Sequence, residues 1–370
     1  MDAESLHLPK PDRKRAAFFQ KNGELSLNRQ SFYLNEYQSI KLINLLQQPI
    51  QSTMNLGKIL CLLLFPGVVH AQTCCSGGVP MSSNIGFSTG EYKQLQYGFS
   101  YDNNRITRLY NETVILGDNN RMRSTQSYIL RAAYQWHRRF ASELFIPIIR
   151  QARNIQTLNN GNDQEISLGL GDPAILVAYD VMNNLKLNWT IGLGIRLPLG
   201  SFSQTNNQGL LLINDMQPGS GAFDLILRSA LSFPIPKHPE SILFFNVIHT
   251  QRGQNTRYLG SQTYQFGQEL QLITGYSRNV YALKQIWPLA LGFRYRHAGP
   301  DQLNQSKLSN TGGDWLFARL SLGLSLDPKT QLQVGMESPF YSHVKGVQLS
   351  PDYIFNISLL GKIKFKKDEF

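Results

Sequence analysis

The sequence predicts an all-β fold, a transmembrane antiparallel up-and-down β-barrel of about twelve strands, with a range of roughly ten to fourteen. Three observations predict it. Only 16% of the 370 residues are charged, against about 25% in a typical soluble domain. Apolar and polar residues alternate along many segments, and no apolar run reaches the length of about 18 residues that a membrane-spanning helix needs. Short and long connections between these segments alternate along the chain.

Residues 1–53 precede the predicted barrel and have a charged and polar composition. A secretory signal begins only at Met54, although export machinery reads the extreme N-terminus of a chain. We therefore expect Met54 to be the true start and residues 1–53 to be a wrongly assigned, disordered upstream extension. The alternative is a genuine N-terminal extension joined to an uncleaved hydrophobic segment.

Residues 54–71 have the pattern of a secretory signal peptide. Lys58 supplies the positive leader, residues 59–69 are mostly apolar, and Val69 and Ala71 are the small residues expected before a cleavage site. The apolar stretch would reach only about 16 Å as a helix, which is about half of a bilayer's hydrocarbon core. The sequence therefore predicts cleavage after Ala71 and export of the chain.

Cysteine usage supports a weak metal or redox hypothesis. Cys61 lies in the predicted signal peptide, which leaves the neighbouring pair Cys74 and Cys75. Adjacent cysteines close no loop, so they cannot staple a fold. They could hold a soft ion such as Cu(I), form a strained vicinal disulfide in an oxidising periplasm, or, with less support from the preceding Thr73, carry a lipid. We expect no bound cofactor.

Period-2 alternation, which is typical of strands with two different faces, defines twelve segments. They span residues 92–102, 124–137, 141–154, 165–181, 184–199, 220–235, 240–251, 262–277, 284–298, 312–327, 330–341 and 350–365. We expect residues 92–365 to form the barrel, residues 72–91 to be a periplasmic N-terminal segment and residues 366–370 to be a C-terminal tail. Within 165–181 the alternation changes phase around Gly171-Asp172-Pro173, which predicts a bulge.

The segment from Leu185 to Leu197 illustrates the pattern. Its odd positions are Leu, Trp or Ile, whereas its even positions include Lys186, Arg196 and two glycines. In a membrane barrel the apolar face contacts lipid and the polar face lines the interior. The alternation therefore predicts which side chains line a lumen, and twelve strands make a barrel wide enough to contain one.

The connections between segments favour a barrel over a β-sandwich. Tight links are predicted at 137–141, 181–184, 236–239 and 327–330, and longer ones at 103–123, 155–164, 200–219, 252–261, 299–311 and 342–349. Short turns at one end and long loops at the other are the arrangement of outer-membrane barrels. We expect the chain in the outer membrane of a Gram-negative cell, with both termini on the periplasmic, short-turn side.

Ionisable residues on the predicted inner face are the candidate lumen-lining residues. They are Arg131, Lys186, Arg196, Arg228, Arg294, Arg296, Arg319, Lys362, Lys364, Asp224, Glu269 and Glu337. Nine basic and three acidic groups predict an electropositive interior that favours anionic solutes. The alternative is that the arginines pair with the carboxylates and plug the barrel with a network of ion pairs.

The sequence disfavours an enzyme and a nucleic-acid-binding protein. Gly192-Leu-Gly194 lacks the third glycine and the following helix of a dinucleotide-binding loop, so its glycines are better interpreted as small lumen residues. The histidines form no HExxH motif, and no local motif marks a nucleophilic serine. Although the net charge is +11, no dense basic run provides a surface for phosphates.

Three motifs resemble a known family of bacterial proteins. They are Cys-Cys-Ser-Gly-Gly-Val-Pro at 74–80, Gly-Leu-Gly-Asp at 169–172 and Gly-Leu-Gly-Ile-Arg-Leu-Pro-Leu-Gly at 192–200. They are similar to those of outer-membrane transporter barrels grouped with the phenol meta-degradation family, over about residues 74–365. The resemblance implies a barrel that moves small organic compounds and gives no catalytic residues. The chain departs from the usual barrel ending, because Phe365 is followed by five further residues.

From these observations we expect a transporter or channel for a small, anionic or aromatic solute. The first alternative is a non-transporting structural or adhesive barrel with a plugged lumen, which would display the loops 103–123 and 200–219. The second is a copper or redox-linked role through Cys74 and Cys75. Expected partners are outer-membrane lipid, the solute and the barrel-assembly machinery, with no nucleic acid.

Overall fold

The computed structural model describes residues 72–73, 91–117, 121–156 and 162–365. The predictions for the extension 1–53, the signal peptide 54–71, the pair Cys74 and Cys75, nearly all of the segment 72–91 and the tail 366–370 lie outside the described residues. Within the described part of the chain, no helix is long and apolar enough to cross a bilayer.

The structure is a closed antiparallel barrel, and the predicted number of twelve strands is confirmed. In chain order they are β1 (Gln94–Asn111), β2 (Arg121–Tyr134), β3 (Phe140–Gln156), β4 (the two arms Asn162–Leu170 and Ala174–Asn183), β5 (Asn188–Arg196), β6 (Asp224–Ile235), β7 (His238–Gln251), β8 (Glu269–Ala282), β9 (Gln285–Ala298), β10 (Gly313–Asp327), β11 (Thr330–Val344) and β12 (Val347–Lys364). Each strand pairs with the next, and β12 pairs with β1 from Lys364 opposite Gln94 to Val347 opposite Asn111. Closure pairs β12 with β1, whose edges would otherwise present unpaired N–H and C=O groups to hydrocarbon. Among the described strands, the arm Asn162–Leu170 pairs on one side only, with β3.

The wall is apolar on its outside, as β5 illustrates. Ile191, Leu193 and Ile195 have 41%, 55% and 45% of their surface exposed, whereas the alternating Thr190 and Arg196 are buried. A soluble barrel would bury its isoleucines and leucines and expose its arginine. The outward apolar face is therefore the surface that meets acyl chains, and the barrel is of the transmembrane type.

A break at residues 171–173 divides β4 and confirms the predicted change of phase. Before the break Ser167 is buried and its neighbours Ile166 and Leu168 are exposed, whereas after it the even-numbered residues from Ala174 to Asp180 are buried. Both arms pair with β3. Gly171 fits here because a Cβ would lie 2.7 Å from Ile149 Cδ1, closer than side-chain contacts allow.

Several strand ends differ from the prediction because strand pairing continues beyond the part of the wall whose outward residues are apolar. β1 extends to Asn111 rather than ending near residue 102, since outward positions such as Asn103 and Arg105 are polar while the strand pairing continues. The predicted long loop 342–349 is a tight turn at Lys345 and Gly346, where the glycine has a φ of 73°. Alternation of apolar and polar residues marks only the part of a strand that lies in lipid.

The two ends of the barrel differ, as predicted. Links at 135–139, 184–187, 236–237, 283–284 and 328–329 lie at one end, here named the turn end, where the barrel also begins at Gln94 and finishes at Lys364. The opposite end, here named the loop end, has longer connections, among them 197–223, 252–268 and 299–312. At the loop end, Gln72–Thr73 also pairs in parallel with Gln348 and Leu349 of β12.

Candidate functional site: the lumen

The structure brings most of the predicted lumen-lining residues together inside the barrel. Buried side chains among them are Arg131, Arg196, Arg228, Arg294, Arg296, Asp224, Glu269 and Glu337, and Arg319 is partly buried. The prediction is wrong for Lys186, because β5 begins only at Asn188 and Lys186 lies exposed in the preceding turn. Lys362 and Lys364 are exposed at the turn end of β12, and Lys364 pairs with Glu91.

A series of ion pairs links four strands, β5, β6, β8 and β9, at the loop end of the lumen. Asp224 of β6 accepts hydrogen bonds from Arg196 of β5 and from Arg252, each at 2.9 Å. Arg252 also lies 3.5 Å from Glu269 of β8, which is 3.1 Å from Arg296 of β9. Three guanidinium groups therefore share two carboxylates. Such charge-assisted bonds are strong only while every partner stays in place, because a buried charge without a partner is costly.

A second ion-paired group lies nearer the middle of the barrel and joins β9, β10 and β11. Arg294 Nη2 lies 2.6 Å from Glu337 Oε2, and Arg319 Nε lies 2.8 Å from Glu337 Oε1. Arg294 is fully buried, and its guanidinium carbon lies 4.0 Å from the centre of the Phe317 ring. Both carboxylate oxygens of Glu337 are thus used by arginines, and we name Arg294, Glu337 and Arg319 the arginine triad.

The glycine motif of β5 makes room for a third ion pair. Arg228 of β6 reaches across β5 and β4 to bind Glu143 of β3 through two hydrogen bonds of 2.9 and 2.7 Å. Its side chain passes Gly192, where a Cβ would lie 3.6 Å from Arg228 Cβ and 3.7 Å from Arg228 Nε. Alanine at this position would touch the arginine at an ordinary van der Waals distance, whereas a longer side chain would occupy the space of Arg228. The expectation that this glycine is a small lumen residue thus has a physical reason.

The loop 200–219 folds into the lumen at the loop end. Its 3-10 turn Asn214–Met216 is buried, and Arg123 of β2 lies 2.6 Å from Asp215. On the neighbouring walls, Ser167 of β4 donates to the Met216 carbonyl at 2.6 Å and Gln151 of β3 donates to the Gln217 carbonyl at 3.1 Å. All three wall residues face inward. The expectation that this loop is displayed outward is therefore wrong for residues 212–219, whose polar groups find partners inside the barrel, whereas residues 207–210 are exposed.

Asp172, in the break of β4, ties both ends of this loop to the wall. Its Oδ1 accepts the N–H of Gly200 at 2.9 Å, and its Oδ2 accepts the N–H and the hydroxyl of Ser220 at 2.6 and 2.7 Å. Gly200 and Gly219 pack against each other here, since a Cβ on Gly219 would lie 2.7 Å from the Gly200 Cα. The motifs at 169–172 and 192–200 thus meet in one place, and we name this contact the Asp172 latch.

A cavity of about 460 Å³ occupies the turn-end half of the lumen, below the folded-in loop. Apolar side chains on its wall include Ile242, Phe244 and Ile273, and polar ones include Arg319 and Asn356. The apolar side continues into a buried cluster of Phe145, Ala174, Leu176, Ile226, Ile248 and Ile273. The inward face of the wall is therefore partly apolar, whereas the alternation predicted a polar one. The cavity suits a small solute with an apolar body and a polar group.

Charge in the lumen is more balanced than the sequence suggested. The described inner wall holds buried carboxylates that the prediction omitted, namely Asp102, Glu143, Asp172, Asp180 and Asp215. It also holds two further buried arginines, Arg123 and Arg252. The structure shows the arginine–carboxylate pairing of the second possibility, but a cavity of about 460 Å³ remains beside the ion pairs, so the pairing does not fill the lumen. Glu143 lies in 141–154, where alternation alone does not assign a face, and Asp215 and Arg252 lie in predicted loops, where alternation does not apply. Asp102 and Asp180 lie inside predicted strands, at the end of 92–102 and near the end of 165–181.

A small sheet at the loop end contains two groups with shifted pKa values. It consists of Gln254–Tyr258, Gln262–Gln265, Gln302–Leu303 and Ser306–Lys307. The Tyr264 hydroxyl donates to Asp301 Oδ2 at 2.7 Å, and the Gly267 N–H donates to Oδ1 at the same distance. Burial raises the pKa of the Asp301 carboxyl, although the bond from Tyr264 opposes this. Burial and the neighbouring carboxylate both raise the pKa of Tyr264.

No group of three metal-ligating side chains able to hold an ion occurs in residues 91–117, 121–156 and 162–365. Cys74 and Cys75 lie outside these ranges. The metal hypothesis for that pair therefore stays a prediction.

The family model described as "Putative MetA-pathway of phenol degradation" matches residues 124–343, which is more than half of the chain. The chain belongs to this family. The matched region extends from β2 to β11 and includes the Asp172 latch, the loop that it holds and the arginine triad. No curated protein sequence matches the chain.

Solved structures that align with the chain include an outer-membrane channel and the transport unit of an autotransporter. The outer-membrane channel of Pseudomonas putida F1 aligns with a TM-score of 0.61 and 13% identity, over 76% of this chain and 99% of that one. The transport unit of the Escherichia coli autotransporter AIDA-I aligns at a TM-score of 0.43, with 9% identity over 76% and 94% of the two chains. The first similarity supports the twelve-stranded fold, and the second is too low to add to the argument.

Proposed function

We propose that this family member is an outer-membrane channel for small solutes with a largely apolar body and at least one polar group. The observation that carries the proposal is the cavity of about 460 Å³, whose apolar lining includes Phe244 and Ile273 and whose polar lining includes Arg319 and Asn356. Pockets that bind small organic molecules have this mixture of apolar lining and a few placed polar groups. The family description names the degradation of phenol, which is such a molecule.

The wall supports a membrane location and an orientation. Its outward face is apolar, and outer-membrane barrels have short turns on the periplasmic side and longer loops outside the cell. The turn end and both ends of the barrel chain would therefore be periplasmic. In this orientation the folded-in loop 200–219 guards the outer mouth, and the cavity faces the periplasm. Outer-membrane lipid and the barrel-assembly machinery are the partners that such a barrel requires.

Planar-bilayer recordings of the refolded chain test the proposal. We expect a steady single-channel current that falls when benzyl alcohol is added, because an aromatic solute in the cavity obstructs ions. Ala290 of β9 lines the cavity, so Ala290→Trp should reduce the current by filling it. Ala318 of β10 faces outward and is exposed, so Ala318→Trp is the matched control and should leave the current unchanged.

The contrary result would support the alternative of a plugged structural barrel. If the wild-type chain gives no current, and if release of the loop 200–219 also gives none, the lumen is not a passage. If current flows but Ala290→Trp and Ala318→Trp behave alike, ions pass by a route that avoids the cavity. Either outcome would contradict the proposed role of this site.

A further inference from the structure

We propose that the cavity contains an anion subsite at Arg319, and that the preferred solutes are small aromatic carboxylates or phenolates. This inference rests on the proposed channel function and specifies its substrate class. Its basis is the unequal net charge of two ion-paired groups on the cavity wall. The arginine triad lines the cavity through Arg319 and Glu337, and the pair of Arg228 with Glu143 lines it through Arg228.

The pair of Arg228 and Glu143 brings no net charge to the cavity. The carboxylate of Glu143 uses both oxygens on one guanidinium, at 2.9 and 2.7 Å, and both side chains are only 3% exposed. Such a two-point contact satisfies the charge and the geometry of both partners. Arg228 is therefore part of the wall and offers little attraction to an anionic solute.

The arginine triad is different, because two guanidinium groups share one carboxylate. Glu337 uses Oε2 for Arg294 and Oε1 for Arg319, so it balances only one of the two positive charges. The side chain of Arg294 is 1% exposed and lies against Phe317, which fixes it in the wall. Both Arg319 and Glu337 line the cavity, but Arg319 is 18% exposed and Glu337 only 4%, so the guanidinium is the more accessible of the two charges. The excess positive charge of the triad is thus presented to the cavity by Arg319.

An anion at this point would stabilise the buried charges, since a charge in a medium of low dielectric is costly unless it is paired. The wall of the same cavity contains Phe244 and Ile273, against which an apolar ring can pack. The arrangement therefore suits a molecule with a ring at one end and a carboxylate or phenolate at the other. A neutral aromatic solute would gain the packing but not the ionic contact.

Equilibrium binding to the folded chain in detergent micelles tests the subsite, with sodium benzoate and benzyl alcohol as probes at neutral pH. We expect wild-type protein to bind benzoate at least about tenfold more tightly than benzyl alcohol, from one additional charge-assisted contact. Arg319→Gln should reduce this ratio to near one and leave the affinity for benzyl alcohol almost unchanged. Arg319→Lys keeps the charge and should keep most of the preference.

A matched control is Arg150→Gln, because Arg150 of β3 faces outward between the buried Ile149 and Gln151. It should bind both probes as the wild type does. Equal affinities of the wild type for benzoate and benzyl alcohol would refute the subsite, whether or not Arg319→Gln folds. An unchanged ratio in folded Arg319→Gln would refute the role of that residue. In both cases the bilayer current would persist if the channel function is correct, whereas absence of current contradicts the proposed function itself.

Discussion

The most informative perturbation of the lumen is Asp172→Asn, which alters the latch without changing the size of the side chain. Asp172 is 3% exposed and accepts three hydrogen bonds, one from Gly200 and two from Ser220. Asparagine keeps one acceptor oxygen and replaces the other with an NH₂ group that faces an N–H donor. At least one charge-assisted bond is lost, and the remaining bonds become neutral.

Hydrogen bonds to a charged group contribute about 1.5–3 kcal/mol each, so the substitution should weaken attachment of the loop by about 3 kcal/mol. Since every 1.4 kcal/mol is a factor of ten, the loop should leave the lumen about a hundred times more often. We expect larger and more frequent openings in single-channel recordings, together with faster proteolysis within residues 200–219. The matched control is Asp163→Asn, because Asp163 is exposed and lies outside the latch.

Two results would refute this reasoning. If Asp172→Asn resembles the wild type in both proteolysis and conductance, the carboxylate does not hold the loop. If the loop becomes cleavable but the conductance is unchanged, the loop does not limit the passage. The contacts of Arg123 with Asp215 and of Ser167 with Met216 remain in the variant, so complete loss of loop structure is not expected.

Substitutions at three further sites test other parts of the structure. Glu143→Ala leaves Arg228 buried without its partner and should destabilise the fold by about 3–5 kcal/mol in urea titrations, whereas the neutral double variant Glu143→Gln, Arg228→Gln should cost less. Gly194→Ala should reduce stability by about 1–3 kcal/mol, because its Cβ would lie 2.3 Å from Leu176 Cγ; equal stability of Gly192→Ala and Gly194→Ala would contradict this. The raised pKa of Asp301 means that the folded loop sheet binds this proton more tightly than the unfolded loop does. Protection of the sheet from hydrogen exchange should therefore be greatest below the ordinary aspartate value of 3.8 and fall as pH rises through the raised pKa, and Asp301→Asn should remove that dependence.

Alternation of residue types was sufficient to determine the wall of this protein. The outward Ile191, Leu193 and Ile195 could be assigned from the segment 185–197, because a strand has a period of two and each face meets a different medium. The same pattern gave the number of strands, the break at Asp172 and the sorting of short and long connections. The pattern failed for the loop-end half of β1, because the strand leaves the lipid there and its two faces no longer differ in polarity. It also failed for Lys186, because β5 has not yet begun at that residue.

The contents of the lumen depended on tertiary structure. Arg228 and Glu143 are 85 residues apart, and Arg123 and Asp215 are 92 residues apart. Their pairing follows from the register and curvature of the closed wall, which no local pattern encodes. Within the clearly alternating segments the sequence by itself determined which side chains point inward, since that is a property of one strand. Which of them pair, which loop enters the lumen and which arginine faces the cavity were decided by distances between strands, which exist only once the barrel has closed.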